Sequence, residues 1–310
     1  MLTEVINSII QEPDSAPEWM TEGKTSLVFK KGEENEAKNY RPITCLPTIY
    51  KLLTLIITES IYTQITDMDI LPYEQKGCTR KARGCKEHLI LDRNILETAK
   101  KNKRNVSILW IDYKIAYDSV PHSWIEEILT LYKFDPIIRN FIKQNMKTWR
   151  MRISLPTKEC KITLDEIFIE RGIFQGDSFS PLLFCIALAP LSRILQRAKV
   201  GFKLIQKTIS HLLYMDDLKV YAKNREEIVR CIELIKKFSD DICMDFGLEK
   251  CAVLHVEKAL LITHLLYRKY PILDQKTPTN ISVFPSHLKF STMRLRRKRK
   301  VCTLAEFEPF

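Results

Sequence analysis

Glycine is scarce in this chain, eight in 310 residues, which excludes the linker-rich and low-complexity classes. No apolar run approaches the roughly 20 residues that a membrane-spanning helix needs, so no membrane partner is expected. Met1–Ile10 has neither a basic start nor a long apolar core, so no secretory leader is expected there. The nine cysteines are scattered and odd in number. That is not the spacing of a disulfide framework, and it points to a reducing, intracellular setting, with nucleus and cytoplasm both open. Cys78, Cys85 and His88 crowd one stretch, but no C-x2-C pair and no fourth ligand accompany them. Free thiols are expected there rather than zinc. No internal repeat is found.

What is present is apolar and basic. Hydrophobic residues make up 45% of the chain, enough to bury one sizeable core or one core with lobes. Lysine and arginine outnumber the acids 49 to 38, a net charge of +11. Such a surplus suits a polyanion such as nucleic acid; excess surface lysine is the plainer reading of charge alone.

Periodicity predicts a mixed chain. Helical spacing is read over Pro47–Ile65, Glu87–Lys100 and Phe141–Arg150. Ser26–Lys30 and Val106–Ile111 read as strands, and Met151–Ile169 as a strand pair. Asp118 and Ser119 are expected to cap a helix with Pro121 in its first turn, running to about Tyr132. Ser180 is expected to cap a helix that Pro190 kinks. Ile209–Ala222 reads as two short strands around a four-residue turn. Asn224 and Glu227 mark the start of an amphipathic helix that Gly247 ends.

Two acidic sites stand out. Asp112 follows the apolar strand Val106–Ile111, where a carboxylate is costly unless paired or on a metal. Asp216 and Asp217 sit side by side in a hairpin between apolar strands, and a divalent cation would relieve their repulsion. Three such carboxylates on neighbouring strands are the ligand set for two Mg2+ ions in phosphoryl transfer, with oxygen ligands for a hard cation. The plainer readings are a solvated turn for the pair and a strand-end cap for Asp112.

The motifs around these sites resemble, in order, the reverse transcriptase of non-long-terminal-repeat retrotransposons, the long interspersed elements. Asn39-Tyr-Arg-Pro-Ile-Thr-Cys-Leu-Pro-Thr48 is similar to the family's fingers motif. Glu74-Gln-Lys-Gly-Cys78 with Gly84-Cys-Lys86 resembles the next block. Asp112 to Asp118 matches D-x-x-x-A-[FY]-D. Gly172-Ile-Phe-Gln-Gly-Asp-Ser-Phe-Ser-Pro181 matches G-x-x-Q-G-x-x-x-S-P. Tyr214-Met-Asp-Asp217 is Y-x-D-D, and Gly247-Leu-Glu-Lys250 resembles the block after the palm helix. Together they span roughly Thr25 to Val256.

The resemblance implies an α+β right-hand polymerase fold, fingers plus palm, with an antiparallel palm sheet flanked by helices. Residues 1–105 would be fingers and 106–256 palm, with finger-associated segments around 133–170. Residues 257–310, an atypical basic tail, do not read as a thumb; a truncated or frame-shifted copy is the expectation. The implied activity is RNA-directed DNA polymerase, a nucleotidyltransferase using an RNA template, a DNA primer and dNTPs. Asp112, Asp216, Asp217 and the backbone carbonyl of Tyr113 would hold two Mg2+ ions. Tyr117 would be the gate that rejects a 2′-hydroxyl, although a core aromatic is its plainer reading. Gln175 and Gly176 would line the nucleotide, glycine letting backbone approach it. Lys30 and Arg41 would reach the triphosphate, Arg41 with its paired donors the better placed. Lys250 would protonate pyrophosphate. Surface solvation is the plainer reading of both lysines. Arg80, Lys81, Arg83 and Lys86 would touch template phosphates, and Arg294–Lys300 reads as a basic tail or an RNA or localisation patch. The rivals are an inactive nucleic-acid-binding remnant and an RNA-dependent RNA polymerase, the latter opposed by Tyr117. Ile115 departs from the basic or polar residue frequent in the family.

Overall fold

The computed structural model describes residues 2–156, 161–258 and 260–265. In chain order the elements begin with α1 (Leu2–Gln11), β1 (Glu22–Phe29), β2 (Tyr40–Cys45), α2 (Thr48–Asp67), α3 (Cys85–Lys101) and β3 (Val106–Ile111). There follow α4 (Ala116–Ser119), α5 (His122–Leu131), α6 (Pro136–Thr148), β4 (Arg150–Pro156), β5 (Lys161–Thr163), β6 (Ile167–Phe168) and α7 (Ser180–Arg197). The last are β7 (Phe202–Leu204), β8 (Lys207–Ile209), β9 (His211–Tyr214), β10 (Asp217–Ala222), α8 (Arg225–Asp241), β11 (Ala252–Glu257) and β12 (Leu260–Leu265). No described helix is long and apolar enough to cross a membrane.

The chain divides into two compact units, and the division does not follow the expected boundaries. Met1–Ile70 joins Tyr117–Ala187, while Leu71–Ala116 joins the residues from Leu188 on. The stretch 71–105, expected with the fingers, therefore belongs with the carboxylate-bearing strands. The reason is α3, whose Ile95 and Ala99 pack into one core with Val106 and Ile108 of β3 and Tyr221 of β10.

In the first unit a sheet runs β2-β1-β4-β5, with β6 also on β4. β1 pairs antiparallel with β2 and parallel with β4. It starts four residues before the expected Ser26. Its early residues alternate inward, where Thr25 and Thr44 share a buried hydrogen bond of 2.9 Å. A Cβ at Gly23 would lie 2.2 Å from Thr44 Cγ2. Helix α2 buries Tyr50, Leu53, Ile57, Ile61 and Ile65, the three-and-four spacing that the sequence displays. Helix α6 begins at Pro136, not Phe141. The Asp135 carboxylate accepts from Ile137 N at 2.7 Å, and proline fits the first turn, where its missing N–H costs nothing. The expected cap at Asp118 and Ser119 is instead a helical turn of its own, α4, and Pro121 stands before α5 rather than inside it.

In the second unit an antiparallel sheet runs β12-β11-β3-β10-β9. β3 is buried on both faces, as its unbroken apolar run requires. Helix α8 lays Ile228, Ile232, Ile235 and Phe238 inward and packs on β10 and β3. It ends at Asp241, six residues before Gly247, so that glycine has another purpose. α7 runs unbroken through Pro190. Buried His211 is held between the Ser192 and Ser210 hydroxyls at 2.6 and 2.8 Å. Strand order continues through Leu265, inside the stretch expected as tail. The basic run Arg294–Lys300 lies outside the described residues.

Asn224 caps α8 by accepting from Glu227 N at 3.0 Å, and Glu227 reaches back to Lys223 N at 3.1 Å. Asn224→Ala should lower stability by about 1 kcal/mol, read as a drop in the urea midpoint. An unchanged midpoint would contradict the cap.

Candidate active site

The two acidic sites meet through strand register. Ile111 of β3 faces Leu218 of β10, so the next residues outward, Asp112 and Asp217, stand at adjacent strand ends. β10 pairs with β9 from Asp217↔Tyr214 inward. The turn between them therefore contains only Met215 and Asp216, not four residues. Met215 takes φ +53°, a backbone state that a non-glycine residue enters at a cost of about 1 kcal/mol.

Asp112 is enclosed by the block Gly247–Lys250. Its carbonyl accepts from Gly247 N at 2.8 Å, and its Oδ2 accepts from Lys250 Nζ at 2.5 Å. A Cβ at Gly247 would lie 2.7 Å from Asp112 Oδ2. Gly247 is thus not a helix stop; it is the residue that lets this turn close on the carboxylate. Tyr113 is buried, with its hydroxyl 3.0 Å from Ser239 Oγ and its ring against Phe246. Ile115, the departure from the family pattern, is exposed at φ +44°, a rare state for a β-branched residue.

Asp216 is pushed up to about 7, first by burial and then by Asp217, with Asp112 adding to the effect and Lys250 opposing it. The Asp112, Asp216 and Asp217 carboxylates thus influence one another at one sheet end. Oxygen donors gathered in this way suit a hard divalent cation. The side chains do not form a ready cage: among the described residues no three His, Cys, Asp or Glu groups are close enough together to hold a metal. The Asp112 carboxylate is engaged by Lys250.

A second loop pins the hairpin, and sequence reasoning did not assign it that task. Glu74 O accepts from Leu213 N, and Lys76 N donates to Leu213 O, each at 3.0 Å. Between them the Gln75 side chain grips Met215. The basic residues that follow, Arg80, Lys81, Arg83 and Lys86, are all exposed. Lys207, not singled out from sequence, joins them on the second unit: its ammonium lies 3.9 Å from the centre of the Tyr73 ring, which also receives Lys76 at 3.8 Å. Cys78 and Cys85 form no disulfide.

The nucleotide-side candidates lie in the first unit. Tyr117 stacks on Phe184, rings 5.1 Å apart and 3° from parallel. Gln175 Nε2 donates to both Asp118 oxygens at 3.3 and 3.2 Å. Burial raises the Asp118 carboxyl, while Gln175 and the Lys30 charge oppose that. Gly176 has φ +128°, and its Cβ would lie 2.4 Å from Thr44 O. The close approach to strand β2 by itself requires glycine at this position. A cleft of about 210 Å³ is lined by Pro42, Thr44, Asp118, Arg171 and Gln175, among others. Arg41 is exposed, and strand alternation turns it to the face opposite Pro42 and Thr44.

The chain resembles known proteins over most of its length. Residues 28–288 match the family model for reverse transcriptase (RNA-dependent DNA polymerase), further along the chain than the quoted motifs. A Pol polyprotein of the type-1 retrotransposable element R2 from Popillia japonica is 28% identical over 65% of this chain and 27% of that protein. The RNA-directed DNA polymerase of mobile element jockey from Drosophila funebris is 27% identical over 69% of this chain and 22% of that protein. The transposon TX1 149 kDa protein of Xenopus laevis is 24% identical over 67% of this chain and 16% of that protein. The chain thus spans about a quarter or less of these relatives. Apo telomerase from Candida tropicalis shares the fold, with a TM-score of 0.53 and 13% identity over 83% of this chain and 58% of that one.

The folded chain holds the Asp216 proton to about 7, against an ordinary 3.8. In chelator, stability should therefore fall as pH rises between these values. Asp217→Asn removes one like charge and should shrink that fall by about 1 kcal/mol. Urea midpoints at pH 5 and pH 8 decide it, and an unchanged difference would sink the account.

Proposed function

Since the chain belongs to the reverse transcriptase (RNA-dependent DNA polymerase) family, we propose that it extends a DNA primer with dNTPs on an RNA template. Asp112, Asp216, Asp217 and the Tyr113 carbonyl would hold two Mg2+ ions. The observation that carries this reading is the strand register that sets Asp112 and Asp217 at adjacent strand ends, next to Asp216 in the turn; burial first, and then the Asp217 charge, hold the Asp216 carboxyl up to about 7, as is common among groups gathered at a functional site. Two such ions supply the positive charge that activates a 3′-hydroxyl and steadies leaving pyrophosphate.

The chain's own groups then have separable tasks. Lys250 pairs with Asp112 at Oδ2, and its ammonium would be the proton donor for leaving pyrophosphate. The Tyr117 ring, braced by Phe184, is a rigid wall against a 2′-hydroxyl. Gln175, anchored through its carbonyl to Thr44 N at 2.7 Å, offers its side chain beside Asp118, with Lys30 near enough to influence that carboxyl. The Gly176 backbone and the Arg41 guanidinium complete the nucleotide-side assignments. Arg80, Lys81, Arg83 and Lys86 present exposed cations to template phosphates. The engagement of Asp112 by Lys250 also favours a second reading, a binding remnant without turnover.

Primer extension on an RNA template with Mg2+ and dNTPs separates the two. Incorporation should be present and should fall about 10³-fold or more in Asp216→Ala. Salt-dependent RNA binding without incorporation would favour the remnant instead. Tyr117→Ala should raise NTP use relative to dNTP; unchanged discrimination would remove Tyr117 from that role.

A further inference from the structure

Gln75 is fully buried, with 0% of its surface exposed, and an uncharged amide in such a place must find partners. It finds them on one target. Its Oε1 accepts from Met215 N at 3.0 Å, and its Nε2 donates to Met215 O at 3.2 Å. The same Oε1 accepts from Gly77 N at 2.8 Å, which ties the amide to its own loop. One side chain thus holds both backbone polar groups of the residue that opens the turn before Asp216 and Asp217.

That residue needs holding. Met215 sits at φ +53° in a two-residue turn, where glycine would be relaxed and methionine is not. The loop is also shaped to the hairpin: a Cβ on Gly77 would stand 2.8 Å from Met215 N. The main-chain bonds from Glu74 and Lys76 to Leu213 set this loop against β9, so Gln75 reaches Met215 from a fixed base.

We infer that Gln75 is a positioning residue for the Met215–Asp217 turn: its amide holds the strained turn so that Asp216 and Asp217 present their carboxylates in one orientation. This rests on the polymerase reading for its catalytic consequence, but the positioning itself is measurable without turnover. Gln75→Met keeps the side-chain length and removes every hydrogen bond to Met215. Three results are expected of it: faster amide exchange confined to 213–217, terbium binding weakened about tenfold or more, and primer-extension kcat lowered about tenfold or more with the dNTP KM within twofold. Adding Met215→Gly, which relaxes the turn, should restore much of the terbium affinity; a buried amide that merely filled space would gain nothing from it.

If Gln75→Met does not fold, Gly77→Ala tests the same contact from the backbone side and should show the same exchange and terbium changes. Unchanged exchange and terbium affinity in a folded variant would overturn the inference. So would failure of both variants to fold, since the loop would then hold the whole unit and not the turn. A wild-type chain that incorporates nothing, yet whose variant shows the exchange and terbium effects, would overturn the polymerase reading and leave the positioning role standing.

Discussion

The pairing of Ile111 with Leu218 is the constraint on which the rest depends. It sets the ends of two apolar strands level, and both ends carry carboxylates. An antiparallel ladder slipped by one residue would turn every side chain to the other face. Leu218 and Val220 are buried against β3 while Asp217 and Lys219, which alternate with them, are half-buried, a pattern that opposes that slip. Charge that would be dispersed in a flexible chain is thereby held together at one place, where burial first and the Asp217 charge second hold the Asp216 carboxyl above its ordinary value.

Two loops of very different sequence close around this strand end. Gly247–Lys250 covers Asp112 with a glycine where no side chain fits and an ammonium that neutralises it. Glu74–Cys78 holds the hairpin from its other strand through Gln75. Both belong to the same compact unit as the carboxylates, so the acidic residues, their counter-charge and their support form one structural body. In the first unit, the Gly172–Gly176 loop is built on similar terms. Gly172 fits against the backbone of Asp118 and Gly176 against Thr44, while Gln175 bonds to Asp118. In each case glycine is used where chain meets chain.

Much of this was legible beforehand. The limits of β3 are those that its apolar run predicts, and the Asn224–Glu227 start of α8 is borne out atom by atom. The helices α2 and α3 follow from their three-and-four spacing. The misreadings share a cause. Asp135-Pro136 is a helix start written in two residues, and it lies ahead of the expected start at Phe141. Gly247 looked like a helix stop because glycine often is one, whereas its reason is a carboxylate that lies 135 positions earlier in the chain. Distance along the chain likewise hides Thr44 from Gly176 and Met215 from Gln75, whose amide resembles any polar loop residue until its partner is seen.

The sequence by itself determined the family resemblance, the α+β class that it implies and which three carboxylates stand out, because these are carried by local patterns: motif order and paired acids. Only the tertiary structure decided that Lys250 lies on Asp112, that Gln75 holds Met215, that residues 71–105 pack with the carboxylate-bearing sheet, and that the turn contains two residues rather than four. These are contacts between segments far apart in the chain. They are set by strand register and by the exclusion of side chains from crowded backbone, and neither leaves a mark in the order of residues along one segment.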